Sequence, residues 1–107
     1  MSKEPFQIEF IRSGGFMGTS TRAAIQSSEL EEKETEELNL LIDRSGFFEA
    51  IVLERSYLNI PDQFHYQITI EHGGKKRKLE LTEGSIPDTF RPLINRLVRL
   101  ARKHRRP

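Results

Sequence analysis

The strongest constraint on the fold is the stretch 64–81, in which two alternating segments flank Gly73-Gly74. Apolar and polar residues alternate along 64–71, as expected for a strand with one buried face. A two-residue hairpin needs positive φ at both central positions, which glycine adopts without steric cost. With these glycines at the turn, apolar residues lie opposite apolar ones, and a shift by one residue would bury lysines. The predicted pairs are Ile68 with Leu79, Tyr66 with Leu81, Glu71 with Lys76 and Thr69 with Lys78.

A second hairpin is predicted near the N-terminus. Along 6–10, Phe, Ile and Phe alternate with polar residues, so a strand with one apolar face is expected. After a glycine-rich stretch, residues 21–25 predict an antiparallel return strand with Ala23 and Ile25 on the buried face. The chain therefore predicts four strands in two hairpins.

A helix is predicted after the first hairpin. Ser28 and Glu31 have capping-box spacing and predict its start, and Gly46 predicts a left-handed stop. Phe47 and Phe48 follow at once and are expected to turn back onto the core. The apolar residues near helical spacing are Leu30, Leu38, Leu41 and Ile42.

The second hairpin is also followed by a predicted helix. This helix opens at Pro87, and Pro92 falls in its first turns, where proline is tolerated. Arginine and lysine residues run along another side of the helix. Its apolar face comprises Phe90, Leu93, Ile94, Leu97 and Leu100.

The order hairpin, helix, hairpin, helix predicts an α+β fold. The economical packing is one four-stranded antiparallel sheet whose apolar face is covered by both helices. We expect a single domain over residues 1–107, with a basic C-terminal tail over residues 101–107. Residues 49–59 fit either an edge strand or a helical turn, so their structure stays open.

Composition limits the cysteine chemistry and the cellular location expected of the chain. The 107 residues include no cysteine, which excludes disulfides, cysteine-based zinc sites and cysteine nucleophiles. Residues 1–5 lack the apolar segment of a signal peptide, and the longest aliphatic run, 50–53, is too short to span a bilayer. We therefore expect a cytoplasmic protein that contacts no membrane.

The sequence has no arrangement typical of an enzyme. It contains no P-loop, no dinucleotide fingerprint, no paired zinc-binding histidines and no Gly-x-Ser-x-Gly motif. His65 and His72 are an odd number of residues apart on one strand, so they are expected on opposite faces, and His104 lies in the basic tail. No cofactor or metal is expected, and we predict a binding protein.

The stretch between the first two strands is the candidate binding site. Phe16 and Met17 stand among glycines there, although loops usually lack or hide large apolar side chains. One interpretation is a side chain offered to a partner, and the other is a turn in which Phe16 caps the core. The full candidate set is Arg12, Ser13, Gly14, Gly15, Phe16, Met17, Gly18 and Thr19.

Several segments taken together resemble one known family. They are 8–18, Gly46-Phe47-Phe48, 61–70 and 87–97, and the similar order of elements covers residues 6–97. In this pattern the chain resembles the emfourins, a family of small bacterial inhibitors of thermolysin-like zinc metalloproteases.

The resemblance implies a protein that binds a folded thermolysin-like (M4 family) protease at its active-site cleft, in the cytoplasm or exported with the protease. It implies that the inhibitor carries no metal, and we expect a monomer. Proteases similar to thermolysin prefer a bulky apolar residue just after the scissile bond, so Phe16 or Met17 suits that pocket. Glycines let the backbone approach closely, and a loop held by two strands loses less entropy on docking than a free peptide.

A nucleic-acid-associated α+β module is the alternative from another functional class. Residues 75–78 are all basic, and 91–106 contain seven Lys or Arg residues and no acid. The hairpin and the C-terminal helix could together form one basic patch. Phe64 and Tyr66 are expected on the buried face, however, so no exposed platform for stacking bases is predicted and we do not expect a nucleic-acid partner. A third possibility is a protein with purely structural or regulatory partners.

Overall fold

The computed structural model describes residues 5–14, 19–50 and 64–103. Most of the undecided segment 49–59 lies outside these ranges. The described chain forms one antiparallel sheet with two helices, so the predicted α+β fold is confirmed. The strands are β1 (Phe6–Gly14), β2 (Thr19–Gln26), β3 (Phe64–His72) and β4 (Lys75–Thr82), and the helices are α1 (Glu32–Ser45) and α2 (Arg91–Lys103).

The β3–β4 hairpin has the register that the sequence predicts. Gly73 and Gly74 form the turn with φ of 57° and 83°, the positive values that a two-residue hairpin requires. Ile68 lies opposite Leu79, and the other three predicted pairs are observed as well. The buried residues of the two strands therefore lie on one face; they are Tyr66, Ile68, Ile70, Leu79 and Leu81.

Strand β1 lies inside the sheet, whose order is β2-β1-β3-β4. Phe6, Ile8 and Phe10 are buried and the residues between them are exposed, as predicted. The β1–β2 ladder runs from the pair Gln7–Gln26 to the pair Gly14–Thr19. β1 is therefore hydrogen-bonded on both sides, as is β3.

Helix α1 begins later than predicted, and the capping box at Ser28 and Glu31 is wrong. Residues Ser27–Glu29 form a 3₁₀ turn, and the helix starts at Glu32. Glu31 is the N-cap, and its side chain makes no capping hydrogen bond. A tertiary contact between Ser27 and β1 overrides the local pattern.

Ser27 holds the entry to α1 against the sheet. Its Oγ accepts a hydrogen bond from the Phe6 N–H at 3.0 Å. Its carbonyl oxygen accepts bonds from the Leu30 N–H at 3.2 Å and from the Thr35 hydroxyl at 3.3 Å. These bonds satisfy the turn and tie it to β1, so the chain completes a separate turn before it enters the helix.

The end of α1 is as predicted. Gly46 adopts a left-handed φ of 66°, and its N–H donates to the Asp43 carbonyl at 3.2 Å. Phe47 is fully buried, with its ring centroid 5.7 Å from that of Phe90, and Phe48 packs edge-on against Phe47. The return of both phenylalanines onto the core is confirmed.

Helix α2 follows a 3₁₀ turn at Asp88–Phe90, so the predicted opening at Pro87 marks that turn and the α-helix starts at Arg91. Pro92 is the second residue of the helix, where its missing N–H has no intrahelical partner to lose. The 3₁₀ turn buries Phe90, and the helix buries the other four residues of the predicted apolar face and also Ala101. In the described part of the chain, neither helix combines the length and apolar character needed to cross a membrane.

The two faces of the sheet have different environments. Inward side chains of all four strands pack with α1 and α2 in one core. Glu37 of α1 accepts a hydrogen bond from Arg96 of α2 at 2.5 Å, which joins the helices over the sheet. Side chains on the opposite face are exposed or half-buried, and we call this face the open face.

Candidate functional site

The predicted binding loop joins β1 to β2 at one end of the sheet. Gly14 pairs with Thr19 in β2 and with Phe64 in β3, so it belongs to the last row of the ladder. Its φ of 90° is a value that glycine tolerates and other residues rarely adopt. Gly15, Phe16, Met17 and Gly18 lie outside the described residues.

The strands that hold this loop are longer than the sequence pattern predicts. Arg12, Ser13 and Gly14 belong to β1, and the backbone of Thr19 belongs to β2, whereas the alternation places all four in the loop. Pairing of β1 with strands on both sides stabilises these residues as a strand despite their glycine and serine content. The connection outside the ladder is therefore only the four residues 15–18.

Arg12 lies on the helix-covered face, directly before the loop. Its guanidinium carbon is 4.5 Å from the centroid of the Phe64 ring, a distance typical of a cation–π contact. The Phe64 ring is itself packed 6.4 Å from Tyr66. The Phe64 N–H donates to a carboxylate oxygen of Glu83 at 3.2 Å. These contacts give the half-buried Arg12 side chain a defined position beside the loop.

Ser13 lies on the open face, paired with Ser20 on one side and with His65 on the other. A serine next to a histidine raises the question of a nucleophile and base. All three residues are described, and no hydrogen bond joins Ser13 to His65. His72 pairs with the buried Phe6 on the other face, so the predicted separation of the two histidines is confirmed.

Metal-binding groups are not clustered in the described residues. Within 5–14, 19–50 and 64–103, no three His, Asp or Glu side chains are placed to share a metal ion. The described side chains at the loop end include the cationic Arg12 and the aromatic Phe64.

The basic run 75–78 is divided between the two faces of the sheet. Lys76 and Lys78 pair with Glu71 and Thr69 on the open face. Arg77 points the other way, and its Nη1 donates to the Phe47 carbonyl at 3.0 Å. The nucleic-acid alternative assumes that the four charges form one patch. The run does not present them in that way.

The sequence does not predict that Phe64 contacts Arg12 or that Glu83 bonds to Phe64 at this end of the sheet. The alternation predicts Phe64 in the buried register but says nothing about Arg12, which lies far away in the sequence. Only the β1–β3 pairing brings the two together. Glu83 follows β4 in a 3₁₀ turn, and no local pattern marks it.

Two comparisons with known proteins return a match to the same family. The family model for emfourin matches residues 10–98. The solved structure of emfourin (M4in) from Serratia proteamaculans, described as an M4 family peptidase inhibitor, is 20% identical. The match covers 83% of this chain and 85% of that chain, with a TM-score of 0.47. A search of curated proteins returns no match.

Proposed function

This chain belongs to the emfourin family, and we propose that it inhibits a thermolysin-like zinc metalloprotease of the M4 family by binding the protease's active-site cleft. Emfourins are an inhibitor family, so the chain is not an enzyme. The observation that carries the proposal is the family match over residues 10–98, which spans almost the whole sheet, α1 and most of α2.

The β1–β2 loop is the part that we propose enters the cleft. Two observations support this choice. The sequence places Phe16 and Met17 between glycines, and the strands on either side are paired up to Gly14 and Thr19. A short connection on such a base loses less conformational entropy on docking than a free peptide. One of the two side chains then fills the apolar pocket that accepts the residue after the scissile bond.

An inhibition assay tests the loop directly. We expect Phe16→Ala or Met17→Ala to weaken inhibition of a thermolysin-like protease by at least about 2 kcal/mol, because truncating an anchor in a desolvated pocket loses most of its binding energy. Melting temperatures should stay close to that of the wild type. Leu40→Ala, at a residue 41% exposed on α1, is the matched control for removing an exposed apolar side chain.

The opposite pattern would identify the loop as a structural cap. In that case Phe16→Ala lowers the melting temperature, and inhibition falls only as the fold is lost. Normal inhibition by the Phe16→Ala, Met17→Ala double variant would reject the loop as the principal contact. Absence of inhibition by the wild type against thermolysin-like proteases would reject the proposed function itself.

A further inference from the structure

The two edges of the sheet differ in their protection against pairing. On its open face, the edge strand β4 carries Lys76, Lys78 and Glu80, all exposed. The other edge strand, β2, carries one charge, Arg22, among exposed Ser20, Ala24 and Gln26. Charged side chains on an edge strand oppose the addition of another strand, whereas an edge with few charges is a template for one.

A shallow depression of about 300 Å³ lies along β1 and β2. Ala24 stands within it, with Glu9 directly opposite in β1 and Arg22 two residues away in β2. Within the described residues, neither Glu9 nor Arg22 forms an ion pair. The depression is therefore lined by the small Ala24 and by the exposed, oppositely charged Glu9 and Arg22.

We propose that β2 pairs antiparallel with β2 of a second copy of this chain, about a two-fold axis through Ala23. In this register Arg22 lies opposite Ala24 of the second copy, and the next strand across carries Glu9. Neighbouring strands are about 4.8 Å apart, so the two Cα atoms of Arg22 and Glu9 lie about 10 Å apart. Arg22 then crosses the small Ala24 within the depression and pairs with Glu9, and symmetry repeats the contact.

Registers shifted by two residues keep the same side chains on the open face. The charges favour the proposed register over these alternatives. A shift by two residues in one direction places Arg22 opposite Arg22, which is unfavourable for like charges. The same shift in the other direction places Arg22 opposite Gln26, beside Gln7 rather than Glu9. On the helix-covered face, the selected register sets the small Ala23 against its own copy.

The proposed dimer has one continuous eight-stranded sheet, and it is an alternative to the monomer expected from the sequence. The sequence could not indicate this contact, because the position of β2 at an edge and of Glu9 beside Ala24 depends on strand order. The proposal does not depend on protease inhibition, since both partners are copies of this chain.

Sedimentation equilibrium of the full chain over a range of concentrations tests the proposal. We expect a monomer–dimer equilibrium for the wild type. Arg22→Glu should weaken dimerisation at least about tenfold, or about 1.4 kcal/mol, because two attractive contacts become repulsive. Arg22→Ala should weaken it less. The charge exchange Glu9→Arg with Arg22→Glu should restore most of the wild-type affinity.

Lys78→Glu on β4 is the matched control, because it makes the same change in charge on an exposed residue of the opposite edge. It should leave dimerisation unchanged, and melting temperatures establish that each variant is folded. A wild type that stays monomeric up to its solubility limit would overturn the proposal. Weakening by Lys78→Glu but not by Arg22→Glu, or a charge exchange that fails to restore dimerisation, would overturn it as well.

Discussion

Asn39 shows how a single polar residue connects a helix to the sheet. It is 2% exposed on α1, where Leu38 and Ile42 are also buried. Its Nδ2 donates to the Thr35 carbonyl at 3.1 Å, so its Oδ1 accepts the hydrogen bond from His72 Nε2 at 2.6 Å. The Phe48 ring stacks on the imidazole at a centroid distance of 6.3 Å. His72 therefore has a structural role at the end of β3.

This pairing predicts non-additive effects on stability. Asn39→Leu alone should lower the free energy of unfolding by about 1–3 kcal/mol, because the His72 N–H loses its partner. With His72→Phe added, the total loss should be smaller than the sum of the two single losses, since the His72 N–H is removed together with its acceptor. Urea denaturation of the wild type and the three variants measures the coupling. Additive losses would show that the hydrogen bond contributes nothing.

At the scale of elements, the β3–β4 turn isolates the cost of backbone strain. A Cβ added to Gly74 would meet no heavy atom within 4 Å, so Gly74→Ala is opposed only by the positive φ of 83°. We expect a loss of about 1–2 kcal/mol in the free energy of unfolding. Gly74→Asn should cost less, because asparagine adopts positive φ more readily. Equal losses for both variants, measured in urea, would contradict this explanation.

The predicted boundaries of α1 and β1 are wrong where a long-range contact competes with a local pattern. Ser28 and Glu31 have the spacing of a capping box, yet the bond from the Phe6 N–H to Ser27 places the helix start later. The glycine-rich stretch after β1 has the composition of a loop, yet pairing on both sides extends the strand to Gly14. In both cases the deciding partner lies in another element of the fold.

At the scale of the whole molecule, salt separates the proposed function from the nucleic-acid alternative. We expect the inhibition constant to change less than about threefold between 50 and 200 mM salt, whereas 6–10 phosphate contacts would lose about 10³–10⁵ in affinity. The inhibition assay is repeated at both salt concentrations, with anisotropy of a labelled oligonucleotide as the parallel measurement. Tight oligonucleotide binding with a steep salt dependence would favour the alternative.

Most of the fold follows from the sequence because the signals that specify it are local. Alternation assigns a face to each residue of a strand, and Gly73-Gly74 and Gly46 act at their own positions through positive φ. The same local information marks Phe16 and Met17 as unusual loop residues, and the resemblance to emfourins was recognisable from short segments in order.

Tertiary structure alone decided which segments are neighbours. The order β2-β1-β3-β4 places β1 between two partners, sets Arg12 against Phe64 and leaves β2 at an edge. It also divides the basic run 75–78 between two faces, with Arg77 bound to the Phe47 carbonyl. Pairing between strands distant in sequence depends on the burial of a shared core, and no periodicity within one strand reports it.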